Sequence, residues 1–136
     1  MNVTKQKLKP TNKNESERSI GLLPADWKWV TLKDVTANVE AVKRKERDPN
    51  EEIIYLDIGG VDNTTNRIQS HKNYKWKDAP SRAQQIVYLN DILFSTVRTY
   101  MKNIAVLEKK SYDGQIASSG FCVIRANNKI AHPKFI

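Results

Sequence analysis

The chain has 136 residues, enough for one domain with a modest core, and its 39% hydrophobic and 28% charged residues are ordinary for a globular protein. The apolar stretches have the length of strands, which argues against a membrane-spanning helix, and the lysines of the N-terminus precede no apolar secretory segment. The single cysteine, Cys122, excludes an intrachain disulfide and a cysteine-based zinc site. These features predict a cytoplasmic protein with no membrane partner.

Positive charge is concentrated in the middle of the chain. The net charge is +8, and residues 67–102 hold seven basic residues against Asp78 and Asp91. The aromatic residues Tyr74, Trp76 and Tyr100 lie among these basic side chains. A local basic excess of this kind suits a polyanionic partner, although a solvated lysine-rich surface has the same composition.

The predicted elements are mostly strands. Residues 1–20 are polar and basic and predict a disordered arm, whereas the foldable domain begins at residue 21. Thr31 is a predicted cap for a short helix at 32–35, and Pro80 opens a possible helical turn at 80–85. Alternating or apolar runs predict strands at 27–32, 53–58, 86–89, 92–97, 103–107 and 120–124. Asn90-Asp91 predicts a turn between the third and the fourth of them. The fold class predicted is α+β, with a mixed or antiparallel sheet and a few short helices.

Catalytic patterns are weak in this sequence. There is no glycine-rich phosphate loop, and Cys122 lies in an apolar strand, which predicts a core residue like the three tryptophans, Trp27, Trp29 and Trp76. Asp91 with Glu108 and Lys110 loosely resembles the residues of a magnesium-dependent nuclease, and this is kept as an alternative. No catalytic residue, metal or cofactor is otherwise predicted.

Groups that suit DNA recognition follow the apolar strand at 92–97. Arginine and asparagine side chains pair with guanine and adenine edges, and lysines and hydroxyls contact phosphates. A second set of hydroxyl, guanidinium and amide groups surrounds the turn predicted at 80–85, and a third lies before Gly120. The predicted DNA-binding residues are Arg98, Thr99, Tyr100, Lys102, Asn103, Ser81, Arg82, Gln84, Ser118, Ser119, Arg67 and Lys72.

Four segments, in order, resemble the target-recognition domain of type I restriction–modification specificity subunits. They are the Leu-Pro-x-x-Trp-x-Trp opening at 23–35, the strand and loop at 55–68, the segment at 79–103 with Pro-Ser-Arg-Ala and Ser-Thr-Val-Arg, and Ile-Ala-Ser-Ser-Gly-Phe-Cys-Val at 116–123. The resemblance covers residues 21–136.

The resemblance implies a reader of one half of a split DNA site. In that family methylation, ATP use and cleavage belong to the partner methyltransferase and motor–nuclease subunits, so the reader itself is not an enzyme. It also implies that this chain is the N-terminal recognition domain, without its last part and without the helical spacer. A remnant that only contacts other proteins is the remaining alternative.

Overall fold

The computed structural model describes residues 23–136, and the chain divides after Val35 into two compact units. The predicted arm at 1–20 lies outside the described residues. In the first unit, helix α1 (Leu32–Val35) begins after Thr31, whose Oγ1 accepts a bond from the Asp34 amide at 3.3 Å. The carboxylate of Asp34 accepts from the Thr31 amide and hydroxyl, and the bond with the Thr31 side chain is the largest cause of its lowered pKa. The predicted cap is therefore confirmed.

The strand predicted at 27–32 is wrong. Residues 27–31 form no strand, since Thr31 is committed to the helix cap, and alternation alone does not make a strand without a hydrogen-bonded neighbour. Trp27 and Trp29 are exposed rather than core residues, whereas Trp76 is buried as predicted.

The described part of the second unit contains ten strands. They are β1 (Thr36–Ala37), β2 (Glu52–Leu56), β3 (Val61–Asp62), β4 (Arg67–Ile68), β5 (Lys72–Lys75), β6 (Ala83–Val87), β7 (Ile92–Ser95), β8 (Ile104–Val106), β9 (Gln115–Ser118) and β10 (Phe121–Ala126). Single 3₁₀ turns connect several of them, at Arg44–Glu46, Ile58–Gly60, Trp76–Asp78, Thr99–Met101, Lys110–Tyr112 and Pro133–Phe135.

Two four-stranded sheets and one small hairpin make up the architecture. The first sheet has the order β1-β10-β7-β8 and is antiparallel throughout. The second has the order β5-β2-β9-β6, in which only the β2–β9 pair is parallel. Strands β3 and β4 form the hairpin. The predicted class, mostly strands in mixed and antiparallel sheets with few short helices, is confirmed.

The main core lies between the two four-stranded sheets. Leu56 and Val87 of the second sheet pack in one cluster with Leu93 and Phe121 of the first. A second cluster, with Ile53, Tyr55 and Trp76, covers the other face of the second sheet. Because β2 is buried on both faces from Ile53 onward, its side chains alternate between the two cores, which explains the uninterrupted apolar run Ile53–Leu56.

Other predicted elements shift when the pairing is known. The helical turn predicted at 80–85 is wrong, because Ala83 already begins β6, which pairs with β9. The turn at Asn90 is present, with a φ of 70°, but it connects strands of different sheets rather than a hairpin. Cys122 is exposed, because it lies on the outer face of the first sheet opposite Phe94, so the prediction of a core cysteine is wrong.

Candidate nucleic-acid interface

Four segments meet where β7, β9 and the β3–β4 hairpin end, and we call them the reading edge. Three sets of hydrogen bonds join them: Asn63 Nδ2 donates to the Met101 carbonyl at 3.0 Å, and the Thr96 amide and hydroxyl donate to the Gly120 carbonyl at 2.9 and 3.0 Å. The Ser119 amide donates to the Arg82 carbonyl at 2.8 Å. The reading edge consists of residues 62–66, 80–82, 96–103 and 118–120.

The longest of these segments, the loop at 96–103, has an unusual backbone. Arg98 and Lys102 have φ values of 49° and 53°, the left-handed region that side chains other than glycine rarely adopt. Between them Thr99–Met101 forms a 3₁₀ turn, in which the Met101 and Lys102 amides donate to the Arg98 and Thr99 carbonyls. Strain held by surrounding structure is a feature of ligand-contacting loops.

The loop presents its side chains to solvent. Tyr100 is 77% exposed, and Arg98, Thr99, Met101 and Lys102 are exposed with it. The base of the loop is closed by the bond from the Ser95 amide to the Asn103 carbonyl. Cations, a hydroxyl and a phenol are thus displayed on a loop anchored to a sheet, which is an arrangement suited to recognition by a rigid scaffold.

Most of the predicted DNA-binding residues are accessible, and many of them come together. Ser81, Arg82 and Ser119 are exposed on the neighbouring segments of the reading edge, and Gln84 lies just beyond on β6. The exposed Arg67 begins β4, directly after the hairpin loop. The structure does not place Lys72 with them, because it lies on edge strand β5. The DNA contacts of these residues stay predictions.

Two of the predicted DNA-binding residues require correction. Ser118 is fully buried, and its Oγ accepts from the Gly120 amide at 3.2 Å. Asn103 is also buried, at 8% exposure. The Ser118 hydroxyl supports the turn before Gly120, because buried polar groups need partners inside the fold. Asn103 contributes to the loop base through its carbonyl, which accepts from the Ser95 amide.

Positive charge exceeds negative charge at and beside the reading edge. Arg67, Arg82, Arg98 and Lys102 are all exposed there. Asp62 is bound to the Thr65 hydroxyl at 2.6 Å, and this bond is the largest cause of its lowered pKa. The Asp62 carboxylate is thus committed to shaping the hairpin loop. Arg67 lies 3.9 Å from the Glu108 carboxylate, whereas Arg82, Arg98 and Lys102 form no ion pair within the described residues, and these three cations suit a polyanionic ligand.

The geometry does not assemble the nuclease-like site. The Asp91 carboxylate is 1% exposed and accepts two bonds from Arg125, at 2.9 and 2.8 Å, and one from the Tyr88 amide. Glu108 is paired with Lys134 at 2.8 Å. Among residues 23–136 no group of three or more His, Cys, Asp or Glu side chains could hold a metal ion. A magnesium nuclease centred on Asp91 is not supported by this arrangement.

Replacing Lys134 by alanine is expected to raise the pKa of Glu108 toward its ordinary value of 4.5. The hydrogen bond from Lys134 is the largest cause of the lowered pKa, followed by the charge of Lys134, with a smaller contribution from Arg67. Because folding lowers the pKa of Glu108, its ion pair stabilises the folded state at pH values above the pKa of the unfolded chain. This stabilisation is lost as the pH falls through the pKa of the folded state. An NMR titration of the carboxyl carbon measures this midpoint.

Arg67→Ala is the matched control for that titration. Its guanidinium lies 3.9 Å from the same carboxylate, so its removal should move the midpoint upward by less than Lys134→Ala does. An unchanged midpoint in Lys134→Ala would show that the ion pair does not form in solution.

Sequence reasoning missed the residues that hold the reading edge together. Asn63 lies in a loop whose sequence does not single it out, and no linear pattern connects it with Met101, 38 residues later. Thr96 lay inside a predicted strand, although its hydroxyl and amide join the Gly120 carbonyl. The sole local signal for this contact was Gly120, which follows two serines. A Cβ at this position would collide with the Ile58 side chain, so glycine marks a close approach of the two segments.

Comparison with known proteins gave matches among solved structures alone. No family model matches the chain, and no curated protein matches it. One similar structure is the HsdS subunit from Thermoanaerobacter tengcongensis, with 39% identity and a TM-score of 0.79 over 88% of this chain and 30% of that one. A second, from work on complex assembly and conformational transition of the type I restriction–modification system, has 41% identity and a TM-score of 0.79 over 85% and 29%.

These matches confirm the resemblance found in the sequence. The fold is that of a target-recognition domain, and the chain is similar to one such part of the HsdS, or specificity, subunits of type I restriction–modification systems. It spans about 30% of the length of the HsdS chain that it matches. No helix within residues 23–136 is long and apolar enough to cross a membrane.

Proposed function

We propose that the chain binds double-stranded DNA in a sequence-specific manner, as the half-site reader of a type I specificity subunit. The observation that carries the proposal is the loop at 96–103, which displays Arg98 and Lys102 from two left-handed positions on a sheet-anchored turn. A guanidinium so fixed can pair with guanine O6 and N7, and the ammonium can neutralise a phosphate.

The neighbouring segments extend this surface. Ser81, Arg82 and Ser119 lie beside the loop and offer two hydroxyls and a second guanidinium. Phosphate contacts position a protein on the duplex, and base contacts give specificity. We assign Arg98 to base reading because it leads the turn, and we assign Arg82, Lys102, Arg67 and the two serines to the backbone.

The same proposal assigns catalysis to other subunits. The chain would direct the methyltransferase and the motor–nuclease subunits to a DNA site and carry no catalytic residue or cofactor itself. Work on the second similar structure concerns assembly and conformational transition of the type I system, which supports partners of this kind. The proposed division is an N-terminal arm at 1–20 followed by the recognition domain, in a protein that acts in the cytoplasm.

Selection from a randomised duplex pool tests the proposal. The full chain is mixed with the pool at moderate salt, binding is followed by fluorescence anisotropy, and the bound fraction is sequenced. We expect enrichment of a short asymmetric motif and an affinity that falls by about 0.9 log units per log unit of salt for each phosphate neutralised. Binding without any enriched motif would reduce the reading edge to a non-specific basic surface, and a folded chain that binds no DNA would contradict the proposal.

A further inference from the structure

The tip of the loop at 96–103 has few restraints of its own. Its base is fixed by the Ser95–Asn103 and Thr96–Gly120 hydrogen bonds, but the tip itself has only the two backbone bonds of its 3₁₀ turn. The side chains of Tyr100 and Lys102 are exposed, so they add no packing that would hold the tip in place. A short turn with two residues in the left-handed region and little packing exchanges among conformations unless something outside it holds it.

Asn63 supplies a contact from outside the loop. Its Nδ2 donates to the Met101 carbonyl at 3.0 Å. Met101 directly precedes Lys102, one of the two residues of the loop with a left-handed backbone. The Ser95 hydroxyl bonds Val97 at the base of the loop, but within residues 23–136 no other side chain from outside the loop hydrogen-bonds residues 98–102. The bond therefore connects the tip to a separate hairpin.

That hairpin is a firm support. Val61 and Ile68, which pair across it, are half-buried against the main core. The Gln69 amide donates to the Gly60 carbonyl at 2.8 Å, and a Cβ on Gly60 would collide with the Ser70 carbonyl. The Asp62 carboxylate also accepts hydrogen bonds from the Thr64 amide and the Thr65 hydroxyl within the hairpin loop. Asn63 thus donates from a position that the core and the loop both hold.

We infer that Asn63 is a specificity-determining positioning residue, which holds the Arg98–Lys102 turn in a single DNA-reading geometry through its bond to the Met101 carbonyl. The inference rests on the proposed function. A reading group that is ordered before binding loses less entropy on the correct sequence, so order in the turn favours specific contacts over general phosphate contacts. Random DNA needs only the charges, and Asn63 carries none.

Asn63→Ala removes the donor without adding charge, and Gln69→Ala is the matched control. Gln69 is an exposed amide at the end of the same hairpin, and its side chain makes no hydrogen bond within the described residues. Two quantities are measured on the full chain: hydrogen exchange of the Met101 and Lys102 amides without DNA, and the ratio of affinities for the selected motif and for random duplex. Exchange at Ile116, in the core of β9, reports the whole fold.

In Asn63→Ala we expect exchange at Met101 and Lys102 to be about three- to tenfold faster, the effect of losing one ordinary hydrogen bond, with Ile116 unchanged. The specific-to-random ratio should fall by a similar factor while the affinity for random DNA stays the same. Gln69→Ala should match the parent chain in both measurements.

Unchanged exchange at Met101 and Lys102 would overturn the inference, and so would faster exchange with an unchanged ratio. Faster exchange that includes Ile116 would overturn it too, because Asn63 would then support the whole fold. If the parent chain selects no motif, the proposed function fails and the specificity role fails with it, whereas the exchange data still decide whether Asn63 restrains the turn.

Discussion

Replacing Arg125 by leucine is expected to lower the free energy of unfolding by about 3–5 kcal/mol, because it leaves the Asp91 carboxylate buried without its partner. Asp91 is 1% exposed and takes both of its short charge-assisted bonds from Arg125. The bond to Asp91 is also the largest cause of the raised pKa of Arg125, so the guanidinium is charged at every ordinary pH. Urea denaturation measures this loss of unfolding free energy, and the dependence of that free energy on urea concentration should stay the same.

Arg125 makes the effect large because it joins parts of both sheets. From β10 it donates to the Ile86 carbonyl of β6, and its guanidinium lies 4.8 Å from the centre of the Tyr88 ring. Arg125→Lys should lose less than Arg125→Leu, since the positive charge remains although the two-bond geometry does not. The double variant Asp91→Leu/Arg125→Leu should also lose less than Arg125→Leu alone, because no unpaired charge stays buried.

Lys43→Ala is the control for a surface pair. Lys43 and Glu46 are 3.6 Å apart and largely exposed, so the loss should stay within about 0.5 kcal/mol. A loss below about 1 kcal/mol in Arg125→Leu, or a double variant less stable than that single one, would show that the Asp91–Arg125 pair does not organise the fold.

Arg98→Ala is expected to weaken binding to the selected DNA motif by about 1–3 kcal/mol, the discrimination that one bidentate base contact provides. Alanine has the same difficulty as arginine with the positive φ of this position, so the comparison isolates the guanidinium. Binding to random duplex should weaken much less. Fluorescence anisotropy on the two duplexes measures both affinities.

Lys102→Ala separates phosphate contact from base reading. We expect it to weaken binding to both duplexes alike and to reduce the salt slope by about 0.9, the effect of one phosphate contact. Lys129→Ala is the control, because it removes one charge from the turn after β10, at the opposite end of that strand from the reading edge. It should change neither the specific-to-random affinity ratio nor the salt dependence of binding. If Arg98→Ala keeps the parent's specific-to-random ratio, Arg98 does not read a base.

Local patterns predicted the strands that carry a continuous apolar run. The run around Ile53–Leu56 became β2, because a strand packed on both sides needs continuous apolar sequence. The run beginning at Ile92 became β7, in which Ile92 and Leu93 are buried although Phe94 faces outward. The Thr31 cap was also predictable, since a cap depends on residues three positions apart. Short edge strands such as β4 and β5 were missed, because their polar sequence carries no such pattern.

The errors at single residues have a common origin. Cys122 and Ser118 are both in strands, and one residue's shift in register decides which face a side chain takes. The sequence placed the apolar cysteine inside and the polar serine outside, whereas the pairing of β10 with β7 and of β9 with β2 puts them the other way round. Trp27 and Trp29 show the same limit, because aromatic character alone does not supply a partner to pack against.

The amino-acid sequence was enough to predict the strand-rich class, the resemblance to specificity subunits and the basic segment that includes Arg98 and Lys102. The proximity of Asn63, Thr96, Ser119 and Arg82 could be seen in the folded chain alone. The hydrogen bonds that connect their segments include Thr96 to Gly120 and Asn63 to Met101, which join residues 24 and 38 positions apart. Such contacts follow from how strands pair between distant segments. A hydrogen bond between loops depends on where two sheets bring those loops, and no short stretch of sequence records that distance.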